Sequence, residues 1–285
     1  SSITLTGEEM RSLFVSIKCP TSENKTSLSK NFEHSLRSSF TKELAAIELD
    51  AEYAQSSSNL VFSYFDRDRF TDSDFEIDYR YPLHISVDFN HHPSCAIAGQ
   101  FIPSSSEVIV IKEWYLEHSD TFKLGKAIAE WVRSALDNYP KTRRVAVEDL
   151  LVLKVHGDAS GNQKTANSKH TNWGIVKKAL DRELITYSTC YGKANPGIQD
   201  TVNSINCGFS SEKIWINSLC KELIKDLESL QWDATGGINK KDITRSHLAD
   251  CFRYLCWDVL PYRKLVSNVK KSNHSQPQIR PSGVF

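Results

Sequence analysis

The order of predicted elements places this chain in the α/β class. Two observations carry that assignment. Near residue 80 the pattern changes from helical spacing to short β-rich runs separated by turn residues. From residue 121 onward, helical stripes alternate with further apolar runs. The resulting order is three strands, a helix, a strand, a helix, a strand and then helices. No internal repeat is visible.

Residues 1–60 read as helical and polar, with Ser/Thr-rich stretches such as PTSENKTSLS. Within 31–53, Phe32, Leu36, Phe40, Leu44 and Ile47 recur at broadly helical spacing. Residues 60–80, VFSYFDRDRF followed by the acidic TDSDFEID, read as a connector, with a domain boundary near residue 80. LHISVDFN (83–90) alternates as a strand does. CAIAGQFI (95–102) follows the turn at Pro93, and VIVIKEWYL (108–116) makes a third strand of an antiparallel meander. Leu124, Ala127, Ile128, Trp131, Val132 and Ala135 form a helical stripe over 121–138. RRVAVEDLLVLKVHGD (143–158) is apolar enough to hold a buried strand. A helix over 173–184 and a strand at LITYSTC come next. Leu219, Leu223, Ile224, Leu227 and Leu230 mark another helix. The last helix begins near Thr244, carries Leu248, Phe252, Leu255, Cys256 and Val259, and stops at Pro261. The tail over 265–285 is polar and Pro-bearing, with the composition of a disordered segment.

Composition narrows the function. The 285 residues carry 35 Lys plus Arg against 35 Asp plus Glu, a net charge of zero. A chain that binds nucleic acid by overall basicity is thereby disfavoured, and local patches decide the matter. The 7 cysteines contain no CxxC pair, which argues against a disulfide framework or a zinc site. No GxxxxGK[ST] loop occurs, so the sequence offers no P-loop ATPase site. No apolar run approaches the roughly 18 residues of a membrane span, and the first residues lack the order of a secretory signal. The expected compartment is the cytoplasm.

Three aspartates stand out by context. Asp88 ends an apolar strand in HISVDFN, Asp158 follows another in VHGDASG, and Asp250 lies near the start of the final helix in SHLADCFRYL. A strand aspartate among apolar neighbours is costly unless it is paired, hydrogen-bonded or metal-bound. Glycines at 157 and 161 permit a tight turn beside Asp158. Two strand-end acids and one helix acid that converge would suit hard cations such as Mg²⁺ or Mn²⁺ in phosphodiester cleavage. Singly, each has a plain alternative: a turn at Asp88, an ordinary loop at Asp158, a solvated helix residue at Asp250.

Five strings occur in order over residues 83–261: SVDFN, VHGDASGN with TNWGIVKKAL, NPGIQDTVNSIN, LCKELIKDLESLQW and HLADCFRYLCWDVLP. Together they resemble the nuclease domain of phage large terminases. The upstream CPTSENKTSLSKNFEHSL and ELAAIELDAEY resemble the end of that family's ATPase domain and its linker, so the chain is expected to be a fragment of a longer protein. The resemblance implies a ribonuclease H-like mixed central sheet flanked by helices over 81–264. It implies an endonuclease that cuts concatemeric phage DNA at the start and end of packaging, in the host cytoplasm. Asp88, Asp158 and Asp250 would be its metal ligands, holding two Mg²⁺ or Mn²⁺ ions. Double-stranded DNA, the portal protein, the small terminase subunit and the ATPase domain would be its partners.

Weaker candidates surround these acids. Asn90 shares the strand face of Asp88, His91 and His92 lie just beyond, and His156 alternates with Asp158. Ser160 and Asn162 could cap the loop or touch phosphate, and Glu148 could be a further acid. Lys193, Lys240 and Lys241 are candidate phosphate contacts, or else solvated surface lysines. Competing readings are another ribonuclease H-like enzyme, such as a junction resolvase or transposase core, and a non-catalytic module that docks on capsid components.

Overall fold

A computed structural model describes residues 19–23, 32–51, 59–89, 92–138, 153–163 and 170–260. The chain divides into two compact units, 1–57 and 58–285. In the first, the expected helical stretch is broken into α1 (Phe32–Ser39) and α2 (Lys42–Glu48). The break falls at Thr41, whose side chain caps α2 by accepting from the Leu44 N–H at 3.1 Å.

The second unit is built on a seven-stranded mixed sheet. Its strands are β1 (Thr71–Asp72), β2 (Leu83–Asp88), β3 (Ser94–Ile102), β4 (Glu107–Leu116), β5 (Leu153–Gly157), β6 (Tyr187–Thr189) and β7 (Ile214–Asn217). They lie in the order β1-β7-β4-β3-β2-β5-β6. β2, β3 and β4 form the expected antiparallel meander, and parallel strands extend it on both sides. The helices are the short α3 (Arg67–Phe70), α4 (Thr121–Asp137), α5 (Asn172–Arg182), α6 (Ile198–Ser210), α7 (Lys221–Ser229) and α8 (His247–Val259).

The main core joins Leu83, Ile85 and Val87 of β2 and Leu153 and Val155 of β5 to Leu124, Ile128 and Val132 of α4 and to Trp173, Val176 and Leu180 of α5. At roughly 25 cal/mol per Å² of apolar area, such fully buried side chains contribute most of the stabilisation of a sheet face. α8 crosses β2, β3 and β5. Because strand side chains alternate, His84, Ser86 and Asp88 take the face of β2 opposite Leu83, Ile85 and Val87, and that face is the one α8 covers.

Several expectations need correction. Residues 59–80 are not a connector. Phe62 and Phe70 are buried, Phe70 packs against Phe209 at 5.1 Å between ring centroids, and β1 pairs with β7. The contacts therefore divide after Ser57 rather than near residue 80. α6 and β7 were not expected, because α6 buries polar residues (Thr201, Ser204 and Asn206) along with apolar ones and so shows no clean stripe. α8 begins at His247 rather than near Thr244. Glu148 and the 265–285 tail lie outside the described residues.

Candidate metal centre

The site lies where β2 and β5 end side by side. Val87 pairs with Gly157, whose φ is +143°. A β-carbon at Gly157 would meet the Val87 carbonyl oxygen at 2.1 Å, so only glycine lets the strand ends approach so closely. The next residue, Asp158, donates its N–H to that same carbonyl at 3.2 Å. Asp88 and Asp158 thus leave the sheet as neighbours. Trp173, fully buried, fixes the turn from behind by donating its indole N–H to the Asp158 carbonyl at 2.9 Å.

From across the sheet, the first turn of α8 supplies His247 and Asp250, three residues apart and on one helix face. One ligand atom each from Asp88, His247 and Asp250 lie within 4.8 Å of one another. Metal–ligand bonds of about 2.0–2.6 Å let one divalent ion reach all three with small side-chain adjustments. The structure therefore brings Asp88 and Asp250 together, as the sequence predicts, and puts His247 in the third place. Asp158 stands outside that group. Its carboxylate accepts from the Ser160 N–H at 2.8 Å, from the Ser160 hydroxyl, and from the Asn195 side chain at 2.7 Å.

Electrostatics show that the acids share one environment. Burial pushes the Asp250 carboxyl upward; Arg253 opposes this and Asp88, a like charge, adds to it. Arg253 is itself buried, bonded to Asp250 and donating its Nε–H to the Thr201 hydroxyl at 2.7 Å. Burial also raises the Tyr254 hydroxyl, and Asp250, Asp88 and Asp158 all push it further. One phenol thus senses all three carboxylates.

His247 is held at both nitrogens. Nε2 lies 2.8 Å from the Ile243 carbonyl, an acceptor only, so it carries the proton. Nδ1 lies 3.0 Å from Asp88. Burial opposes charging the ring, yet the bonds to Asp88 and Ile243 outweigh it and raise its pKa. When the ring is neutral, the Ile243 bond fixes the tautomer whose Nδ1 lone pair faces Asp88, the orientation a metal ligand needs.

Two supports flank the site. Asp226, buried, accepts from the Ala249 N–H at 3.3 Å and pairs with Arg245 at 3.2 Å. It takes the capping role that Ser246 leaves unfilled, for Ser246 makes no side-chain cap bond and sits at φ +77°. One layer deeper, Asp258 of α8 bonds His156 Nδ1 at 2.7 Å, and His156 Nε2 meets His84 Nδ1 at 2.8 Å. His156 therefore joins β5 and β2 to α8 and is not in the ligand group.

The remaining candidates are dispersed. Ser160 serves Asp158, and Asn162 is exposed. Lys193, Lys240 and Lys241 are exposed, with Lys240 near enough to Asp250 to oppose its pKa rise. His92 packs edge-on against His118 at 5.2 Å. Asn90 and His91 lie outside the described residues. Sequence reasoning missed His247, although its i, i+3 spacing from Asp250 was readable. It also missed Asn195 and Asp226, for which the sequence carries no local signal.

No protein-family model matches the chain, and no curated protein matches it. Solved structures do. The large terminase of a thermophilic bacteriophage, in complex with ATP-gamma-S, superposes with a TM-score of 0.59 at 13% identity over 84% of this chain. The chain spans 55% of that protein. The P22 large terminase nuclease domain superposes with a TM-score of 0.51 at 11% identity, covering 73% of this chain and 97% of that domain. At these identities the likeness shows the fold: a seven-stranded mixed sheet flanked by helices, an α/β fold shared with the P22 large terminase nuclease domain.

Proposed function

We propose that the chain is the nuclease part of a viral DNA-packaging motor, a metal-dependent endonuclease that cuts concatemeric DNA when packaging begins and ends. The observation that carries this reading is the Asp88, His247 and Asp250 donor group at the C-terminal end of β2. The two carboxylates fit a hard divalent cation such as Mg²⁺ or Mn²⁺, and the imidazole adds a nitrogen donor better suited to a transition-metal ion such as Mn²⁺ than to Mg²⁺. A cation bound there supplies Lewis-acid activation of the phosphodiester and of the attacking water.

The chain's own residues do the rest. Asp88, fixed on a rigid strand, holds the centre of the site. Arg253 keeps the Asp250 carboxylate aimed at Asp88. Asp158, beside Asp88 where the two strands end, would hold a second cation. Lys193 and Lys241, both exposed, track the DNA backbone by charge. The portal protein, small terminase subunit and ATPase domain are the proposed partners, and the host cytoplasm is the proposed place of action.

Supercoiled plasmid incubated with the protein and Mn²⁺ tests the reading. Nicked and linear products are expected from the native chain and none from Asp88→Ala. Equal cutting by both would remove the assignment.

A further inference from the structure

The turn that carries Asp158 is gripped by a second loop. Cys190 donates its N–H to the Val155 carbonyl at 2.8 Å, and Tyr191 stacks on Trp173 with 4.0 Å between ring centroids. Further along, Asn195 spends both ends of its amide on the turn. Its Oδ1 accepts the Ala159 N–H at 2.8 Å, and its Nδ2 donates to Asp158 Oδ1 at 2.7 Å. These two bonds fix which way the amide faces, because a backbone N–H only donates and an ionised carboxylate only accepts. We infer that Asn195 is a positioning residue for the second cation: it limits Asp158 to ligation through one oxygen, Oδ2, and sets how tightly that ion is held. The inference rests on the proposed function, in which Asp158 holds that cation.

Counting lone pairs makes the first argument. An ionised carboxylate offers about four acceptor positions, two on each oxygen. Asp158 Oδ1 takes the Ser160 N–H at 2.8 Å as well as the Asn195 amide, so both of its positions are filled. Oδ2 takes the Ser160 hydroxyl and keeps one position open among the described residues. Coordination through both oxygens is therefore closed while Asn195 is in place, and coordination through Oδ2 is ready. With Asn195 removed, only Ser160 holds the carboxylate, and a cation must order the side chain as it binds.

Charge and placement make the second. The Asp250 carboxylate is paired with the guanidinium of Arg253. The donors on Asp158 are an amide, a hydroxyl and a peptide N–H, all neutral. Neutral donors orient a carboxylate without cancelling the charge that attracts a cation, as the outer-shell partners of metal ligands do. Asn195 is exposed, so its two bonds leave the core untouched, and water can replace them at small cost. The same stretch of chain reaches the other acid. α6 begins at Ile198, and its Thr201 accepts from Arg253, which bonds Asp250. Residues 195–201 thus support Asp158 directly and Asp250 through Arg253.

Mn²⁺ titrations read by the paramagnetic resonance of the free ion, beside melting of the metal-free chain, test the inference without turnover. The native chain is expected to bind two Mn²⁺ ions, and Asp158→Ala to lose one class of site. Asn195→Ala should loosen that class by about tenfold or more, leave the other class unchanged and leave the metal-free Tm nearly unchanged. A merely structural role would instead lower that Tm and loosen both classes together. That outcome, a second class indifferent to Asn195→Ala, both classes surviving in Asp158→Ala, or a native chain that binds a single ion would each overturn the positioning role. A chain that shows the Asn195 dependence and leaves plasmid intact keeps that role and loses the nuclease reading. One that cuts plasmid while its second class ignores Asn195 does the reverse.

Discussion

His247 links proton and metal chemistry at the scale of one residue. Its Nδ1 must be free of a proton to ligate, while Asp88 and Ile243 stabilise the protonated ring. Metal binding should therefore release a proton. Mn²⁺ affinity should fall as pH drops through the raised His247 pKa, and a plot of affinity against pH for the native chain measures this. In His247→Ala that proton linkage should vanish. Its Mn²⁺ affinity should also fall by at least the roughly 10–100-fold that loss of even an outer-shell partner costs. Gly157 acts through sterics alone. Gly157→Ala places a β-carbon on the Val87 carbonyl and should cost about 3 kcal/mol or more, read as a lower urea midpoint. Asp88 and Asp250 were legible as site candidates from their apolar contexts, and the structure brings them together. Asp158 was expected as the third ligand; its bonds to Ser160 are local, but its bond to Asn195 comes from a loop 37 residues away, which no local pattern encodes.

Among the elements, α8 carries the greatest consequence, since it brings two candidate ligands to the sheet and its N-terminus depends on a residue from α7. Asp226 is held up to about 6, first by burial, with Arg245 opposing. A carboxyl with a raised folded pKa binds more protons when folded than when unfolded. Its contribution to stability is greatest at low pH and is lost as pH rises from the ordinary carboxylate range toward 6. Asp226→Asn should flatten that part of the stability–pH curve while retaining a side-chain acceptor for Ala249. Asp226→Ala leaves Arg245 half-buried with one partner fewer and should cost about 2–4 kcal/mol, measured by chemical unfolding at pH 7. The elements themselves were unequally readable. The meander and α4 have clean periods, so the sequence showed them. β1 and β7 are so short that only their pairing, a long-range property, makes them strands. The connector reading failed because Phe70 becomes core against Phe209 of α6 and Asn206 of α6 bonds the Val61 carbonyl, contacts distant in sequence.

For the molecule as a whole, an ion that binds only the folded state adds stability by mass action. Mn²⁺ at a hundred times its dissociation constant should contribute about 2.7 kcal/mol and raise Tm by about 5–10 °C. Asp88→Asn should abolish the shift in a scanning-fluorimetry trace, whereas a purely structural role for the cluster would leave both traces alike. The arrangement of β2 bears on folding as well. Its odd-numbered side chains insulate the interior, and its even-numbered ones carry the polar chain from His84 to Asp88. Pairing displaced by one position would drive a carboxylate into oil and leave valine facing the cleft. The same alternation that keeps the protein compact therefore guards the site: a misregistered sheet forfeits its cohesion and its acidic cleft together.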